Sequence, residues 1–137
     1  MLSRFGIKEQ DVYITPDKAF EDLESIFHVK GKELFDPCPY PESELDGLEI
    51  EWGSISFANP PFSKATAWVG KALQQAKKGK TVYMLLPWYW HSNNKRRHYF
   101  TDMITMPHSQ ELRYTFKSPL NESQAKITCI WFKITCE

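Results

Sequence analysis

The stretch Ser54-Ile55-Ser56-Phe57-Ala58-Asn59-Pro60-Pro61-Phe62 decides how the rest of the chain is read. Residues 54–58 form a short, largely apolar run that predicts a strand. Two prolines stop it at once, because neither can donate to a sheet ladder and each fixes its own φ. Asn59 therefore falls at the carboxyl end of a strand. Next, Ser63 to Lys78 predicts a helix with Ala67, Val69, Ala72, Leu73 and Ala76 on its apolar side. Lys77 and Lys78 suit its C-terminal end, and Gly79 closes it. Thr81 to Leu86 then predicts a strand buried on both faces. A strand, a helix and a second buried strand imply a parallel pair, and ligands of such sheets bind beyond the carboxyl ends of the strands.

Upstream, Pro16 to His28 predicts a helix. Ala19, Phe20, Leu23, Ile26 and Phe27 recur at helical spacing, Thr15 stands as N-cap, Pro16 as the first helical residue and Gly31 as terminator. Glu33 to Asp36 predicts a short strand ended by Pro37, and the prolines and acids of Pro37 to Glu51 predict an irregular link. Downstream, Ser92 to Ile104 is expected to be helical, with Glu111–Phe116 and Lys126–Thr135 as two late strands that pair. The expected architecture is α/β: a trimmed, mostly parallel sheet with helices on both faces and an antiparallel strand pair at the C-terminus. One domain over residues 1–137 is expected, with no separate target-recognition domain.

Composition narrows the function classes. Seventeen Lys and Arg balance seventeen Asp and Glu, so weak non-specific affinity for a nucleic-acid duplex is expected unless the cations cluster locally. Cys38, Cys129 and Cys136 form no C-x-x-C pair and are odd in number, which favours a reducing compartment over a disulfide framework. His28, His91, His98 and His108 lack zinc-site spacing, so no metal is expected. Residues 1–8 hold no apolar signal core, and no apolar run approaches the roughly 20 residues of a membrane span. The expectation is a cytoplasmic protein without a membrane partner. An aromatic share of 15% fits a dense core and a base-stacking surface equally well.

The residues after the first strand suit one demanding task. An exocyclic amine on a heteroaromatic ring is a poor nucleophile, because its lone pair is delocalised into the ring. Two acceptors bonded to its two hydrogens draw the nitrogen towards sp³ character. The side-chain oxygen of Asn59 and the carbonyl of Pro60 can be those acceptors, Pro61 stiffens the turn, and Phe62 offers a face on which an extruded base can stack. Such stacking is worth ~1–3 kcal/mol per base. The same tetrapeptide also serves as a plain proline-stopped strand entering a helix, so its context has to decide.

That context carries a resemblance. N-P-P-F at Asn59 to Phe62 is a form of the D/N/S-P-P-Y/F motif of amino methyltransferases. Around it stand Tyr13-Ile14-Thr15-Pro16, Asp36-Pro37-Cys38, Asp46-Gly47-Leu48 with Trp52, and Leu85-Leu86-Pro87. In this order the motifs resemble those of the short phage-type DNA N-6-adenine methyltransferases. The resemblance implies a class I, Rossmann-like methyltransferase sheet, S-adenosylmethionine as cofactor, DNA as partner and, the family being mostly viral, the host cytoplasm as location. It implies that Tyr13, Thr15 and Pro16 bind the methionine end of the cofactor, and that Asp36, with Pro37 and Cys38, lies near its amino or ribose groups. Asp46 would accept from the cofactor's adenine amine, with Leu48 against the ring. Asn59, Pro60, Pro61 and Phe62 would hold the target adenine.

The chain departs from most class I methyltransferases in having no glycine-rich loop after its first strand: Asp36 is followed by Pro37, Cys38 and Pro39. DNA reading would fall to loops or to a second subunit. Trp88, Tyr89 and Trp90 follow the buried strand and can wedge or stack bases. Asn93, Lys95, Arg96 and Arg97 suit phosphates and base edges. A packed aromatic cluster and a solvated helix start explain these two segments equally well. A homodimer stays open, as do a silent nucleic-acid-binding protein on the same scaffold and an amino methyltransferase acting on RNA or protein glutamine.

Overall fold

A computed structural model describes residues 14–39, 46–87, 104–107, 112–117 and 124–135. The fold is built on β2 (Thr81–Pro87), whose side chains alternate between two apolar layers. Val82, Met84 and Leu86 face one layer, while Tyr83 and Leu85 face the other. Burial on both faces explains the near-continuous apolar sequence of this strand. β1 (Ile55–Ala58) lies parallel beside it, in a register that pairs Ser56 with Val82 and Ala58 with Met84. On its other side runs β5 (Gln124–Thr135), antiparallel, with Met84 opposite Phe132 and Leu86 opposite Ile130.

β5 is the spine of the sheet. Its far edge carries two short antiparallel strands end to end. β3 (Ile104–Pro107) pairs with residues 132–135, and β4 (Leu112–Lys117) pairs with residues 124–129. The late strand pair expected from the sequence is therefore present. The mostly parallel sheet is not, since β1 and β2 are the one parallel strand pair among the described residues. Parallel pairing needs a crossover of about a dozen residues or more, usually a helix. The chain supplies one between β1 and β2, whereas links of four and six residues join β3 to β4 and β4 to β5. Ile104, expected to end a helix, begins β3 instead; residues 92–103 lie outside the described residues.

Each face is covered by one helix, as expected. α2 (Ala65–Ala76) buries Trp68, Val69, Ala72 and Ala76 against Met84, Leu86, Ile130 and Phe132. Ala67, assigned to its apolar side, is exposed, and Gln75, not among the residues assigned to that side, is buried. Gln75 Oε1 accepts from the backbone N–H of Trp52 at 3.0 Å and from Lys80 Nζ at 2.6 Å. Lys80 also reaches the Trp52 carbonyl at 2.6 Å and the Glu51 carboxylate at 3.0 Å. Lys78 pairs with the same carboxylate, and the two ammonium groups hold Glu51 down at about 2. Gly79, at φ 88°, ends the turn after α2 as its position suggested.

α1 (Asp17–Phe27) covers the opposite face, where Ala19 and Leu23 pack towards Phe57, Leu85, Phe116 and Trp131. Asp22, paired with Lys18 at 3.1 Å, accepts from the Tyr114 hydroxyl at 2.7 Å and so ties the helix to β4. Burial and this carboxylate both push the Tyr114 phenol up. The ends of α1 differ from expectation. Pro16 is the N-cap residue, with the helix starting at Asp17, and Thr15 stands one residue outside the cap. His28, in the left-handed region at φ 61°, ends the helix in place of Gly31. Gly31 is instead buried at the start of a 3₁₀ turn, where a Cβ would lie 2.6 Å from the Phe20 ring. Glu33–Asp36 is reduced from a strand to a single parallel bridge, Phe35 with Ser56.

Gly70 sits inside α2 with no atom within 4 Å of where its Cβ would stand. Gly70→Ala should raise unfolding stability by about 1 kcal/mol, the usual helix-interior difference, in urea denaturation.

Candidate functional site

β1 ends at Ala58 and hands the chain to Asn59, whose side chain is half-buried, then to Pro60 and Pro61, both buried. Pro61 takes an extended ψ of 122°, and its carbonyl accepts from the Lys64 N–H at 2.9 Å, opening the 3₁₀ turn Phe62–Lys64 that feeds α2. The Pro60 carbonyl accepts no backbone hydrogen bond from the described residues. Phe62 is half-buried and meets the edge of Phe116 at 5.8 Å and 86°. The residues that sequence placed in one constellation thus form a stiff turn at the carboxyl rim of the parallel pair.

The Asn59 amide is held from afar. Its Nδ2 donates to Thr15 Oγ1 at 3.1 Å, across 44 positions of sequence. Thr15 lies just ahead of α1 and lines a cleft of about 260 Å³ together with Ile14, Phe20, Asp36, Cys38 and Phe57. That volume is near the lower end of the ~300–1,000 Å³ usual for small-molecule sites. Phe57 and Phe20 form its apolar wall, in edge contact at 5.0 Å.

Asp36 supplies the cleft's carboxyl group. Its Oδ1 accepts from the Cys38 N–H at 2.9 Å, an Asx turn that bends the chain around Pro37. Burial pushes the carboxyl up to about 6, and the Cys38 N–H only partly offsets that. Among the described residues no cation neutralises it. A cationic ligand with a flat apolar ring would satisfy both the acid and the wall.

Asp46 repeats the same turn, its Oδ1 accepting from the Leu48 N–H at 2.9 Å. The two Asx turns are pressed together at Gly47. A Cβ there would lie 2.0 Å from the Pro37 carbonyl oxygen and 2.7 Å from the Trp68 ring. The Trp52 indole N–H donates to the Gly47 carbonyl at 2.7 Å and locks the contact. Leu48 packs half-buried on the apolar layer beneath α2. The structure thus gathers Thr15, Asp36 and Cys38 at one cleft, with Asn59 bonded to its lip. Pro16 adjoins it at the start of α1, Pro37 lies behind it, and Asp46 and Leu48 stand on the adjoining turn without lining it.

Tyr13, Trp88, Tyr89, Trp90, Asn93, Lys95, Arg96 and Arg97 lie outside the described residues. β2 does deliver the chain at Pro87 to the same rim as Asn59. No group of three His, Cys, Asp or Glu able to hold a metal occurs among the described residues, and none of their helices is long and apolar enough to cross a membrane. Sequence reading missed three contributors: Phe20 and Phe57 as the cleft wall, and Gly47 as a point of close approach. The Asp-Gly pair signals a turn equally well whether or not another backbone rests on it.

Comparisons with known proteins bear on this site. A family model described as DNA N-6-adenine-methyltransferase (Dam) matches residues 3–95. No curated protein matches the chain. Among solved structures, a Pyrococcus horikoshii protein assigned as an RNA methyltransferase aligns with a TM-score of 0.41 and 16% identity, over 65% of this chain and 46% of its own. The chain thus spans under half the length of that structure.

A raised carboxyl pKa makes the ionised form costly in the folded state. The stabilising contribution of neutral Asp36 is full below pH ~4 and is lost as pH rises through about 6. Asp36→Asn should therefore raise unfolding stability by about 2 kcal/mol at pH 7–8 and leave it unchanged near pH 4, read from urea curves at the two pH values.

Proposed function

The chain belongs to the DNA N-6-adenine-methyltransferase (Dam) family, and from that premise we propose that it transfers a methyl group from S-adenosylmethionine to the exocyclic N6 amine of adenine in DNA. The observation that carries the reading is the turn after β1. A half-buried Asn59 amide is held through Nδ2 to the cleft lip, and the Pro60 carbonyl, which accepts no backbone hydrogen bond from the described residues, follows it on a proline-stiffened backbone. With Nδ2 turned to Thr15, the amide oxygen is left as an acceptor on the opposite corner.

The residues present fit the cofactor. A half-buried carboxyl group beside two phenylalanine rings suits a cationic nucleoside, the one lysine lining the cleft, Lys32, being paired with Asp17 at 2.9 Å, and the Asx turn at Asp46 stands next to it. Asp36 and Thr15, with Tyr13, Pro16, Pro37 and Cys38 around them, would hold its amino-acid and ribose parts, and Asp46 and Leu48 its adenine. When bound, S-adenosylmethionine supplies an electrophilic methyl on a sulfonium.

The chain's own residues do the rest by positioning. Asn59 Oδ1 and the Pro60 carbonyl accept from the two N6 hydrogens of an extruded adenine, raising electron density on nitrogen. Phe62, backed by Phe116, braces the base against rotation. Holding nucleophile and methyl in line converts a bimolecular encounter into a first-order step. The excess proton leaves the amine to water once the methyl is in place, since neither acceptor is basic. Trp88 to Trp90 and Asn93, Lys95, Arg96 and Arg97 are the proposed contacts to the duplex.

The test is methyl incorporation from labelled S-adenosylmethionine into DNA, RNA and protein side by side. Label is expected in DNA as N6-methyladenine. Asn59→Ala should lower kcat by about 10²–10³-fold without unfolding the chain, the range for losing one preorganised polar contact at a reacting centre. Asn59→Asp, which keeps an acceptor oxygen, should retain measurable turnover. Wild-type turnover in folded Asn59→Ala would overturn the reading, and label confined to RNA or protein would move the acceptor.

A further inference from the structure

The longest-range side-chain hydrogen bond at this site joins the acceptor turn to the segment that precedes α1, and its geometry carries a role beyond cofactor contact. We infer that Thr15 is a positioning residue for Asn59: its hydroxyl oxygen takes the Nδ2 proton and thereby fixes which corner of the amide faces the target amine. The inference rests on the assignment of Asn59 as the acceptor of that amine.

An asparagine amide is a planar group with two donors at one corner and two lone pairs at the other, and it can turn about its terminal bond to present either. Presented with Nδ2 forward, it would set a donor against the hydrogens of an amine and repel it. Something has to break that near-symmetry. Pro60 and Pro61 fix the backbone but have no influence on the amide's rotation. Thr15 Oγ1 accepts from Nδ2 at 3.1 Å, from a separate segment of chain, and once its own proton is given to a ligand in the cleft it can only accept and so selects the Nδ2 corner.

The same threonine lines the cleft that holds Asp36, so it stands between donor and acceptor sites. Pro16 and not Thr15 is the N-cap residue of α1, so Thr15 stands one residue outside the cap, with its hydroxyl on Asn59. The hydroxyl's own proton remains available to a ligand carboxylate, so occupancy of the cleft and the rotation of Asn59 act on one oxygen. A threonine placed only to hold cofactor would have no need to meet Asn59.

Thr15→Val removes the hydroxyl at nearly constant shape, and Thr15→Ser restores it. In the folded, full-length chain, kcat for the methyl acceptor identified above should fall about 10- to 100-fold in Thr15→Val, the cost of a misplaced reacting group. The melting temperature should stay unchanged, S-adenosylmethionine should bind more weakly because Thr15 also lines the cleft, and Thr15→Ser should recover both affinity and the kcat read at saturating cofactor. A readout independent of turnover is the pair of Asn59 side-chain amide signals in ¹⁵N NMR, identified by its loss in Asn59→Ala. That pair should move to the position of a free asparagine amide in Thr15→Val and return in Thr15→Ser. Unmoved Asn59 signals in Thr15→Val would overturn the inference, as would a loss confined to cofactor affinity at wild-type kcat. If the wild-type chain transfers no methyl to any acceptor, the proposed function falls, while the NMR comparison still decides whether Thr15 sets the amide.

Discussion

The pairing of β2 with β5 is the constraint from which the rest of the structure follows. Six consecutive residues of each strand face one another antiparallel, and both strands bury side chains above and below the sheet. A strand pair covered on both faces needs a helix on each, and α1 and α2 fill those places. Once β2 is fixed, β1 has one register beside it, because slipping by a residue would exchange Phe57 and Ala58, side chains of very different size, between the two layers. That register in turn sets the height at which the chain leaves the sheet at Asn59. The position of the proline turn is thus inherited from hydrophobic packing well away from it.

On this frame the site is assembled from pieces that contribute little alone. Two Asx turns, at Asp36 and Asp46, would each be ordinary loop chemistry. Their contact at Gly47, clamped by the Trp52 indole, converts them into one ledge beside the cleft. This close backbone approach is open only to a residue without a side chain, which is why glycine stands at position 47. The carboxyl group of Asp36 is left half-buried and costly in its ionised form, a strain that the surrounding packing sustains.

Much of this was legible in the sequence, and the reasons differ by element. β1, α2 and β2 were readable because period-2 and period-3.6 patterns are strong there and prolines or glycine mark each end. The N-P-P-F turn was readable because prolines act locally. The sheet's direction was not: alternation of helices and strands suggested parallel order, but direction depends on connections, and a short link forces a reversal that propensity does not reveal. The caps of α1 failed for a related reason. Thr15 has the chemistry of an N-cap, yet its hydroxyl is engaged by Asn59, and Gly31 has the freedom of a terminator, yet it is needed where Phe20 leaves no room. In both cases a tertiary contact outbid a local preference. Gln75 escaped notice in the same way, since nothing nearby in sequence reveals that Trp52 and Lys80 will satisfy it.

The role of β5 as a shared spine has a consequence for how the molecule comes into being. It is the last of the described strands in chain order, and β2, β3 and β4 all depend on it for a partner. A nascent chain emerging from the ribosome at roughly 5–20 residues per second can pair β1 with β2 across α2 early, but the remaining edge of β2 stays open until residues 124–135 arrive. Closure of the sheet therefore waits on β5. The interval leaves an apolar strand edge without cover, the condition under which transient chaperone engagement protects a chain from association with its neighbours.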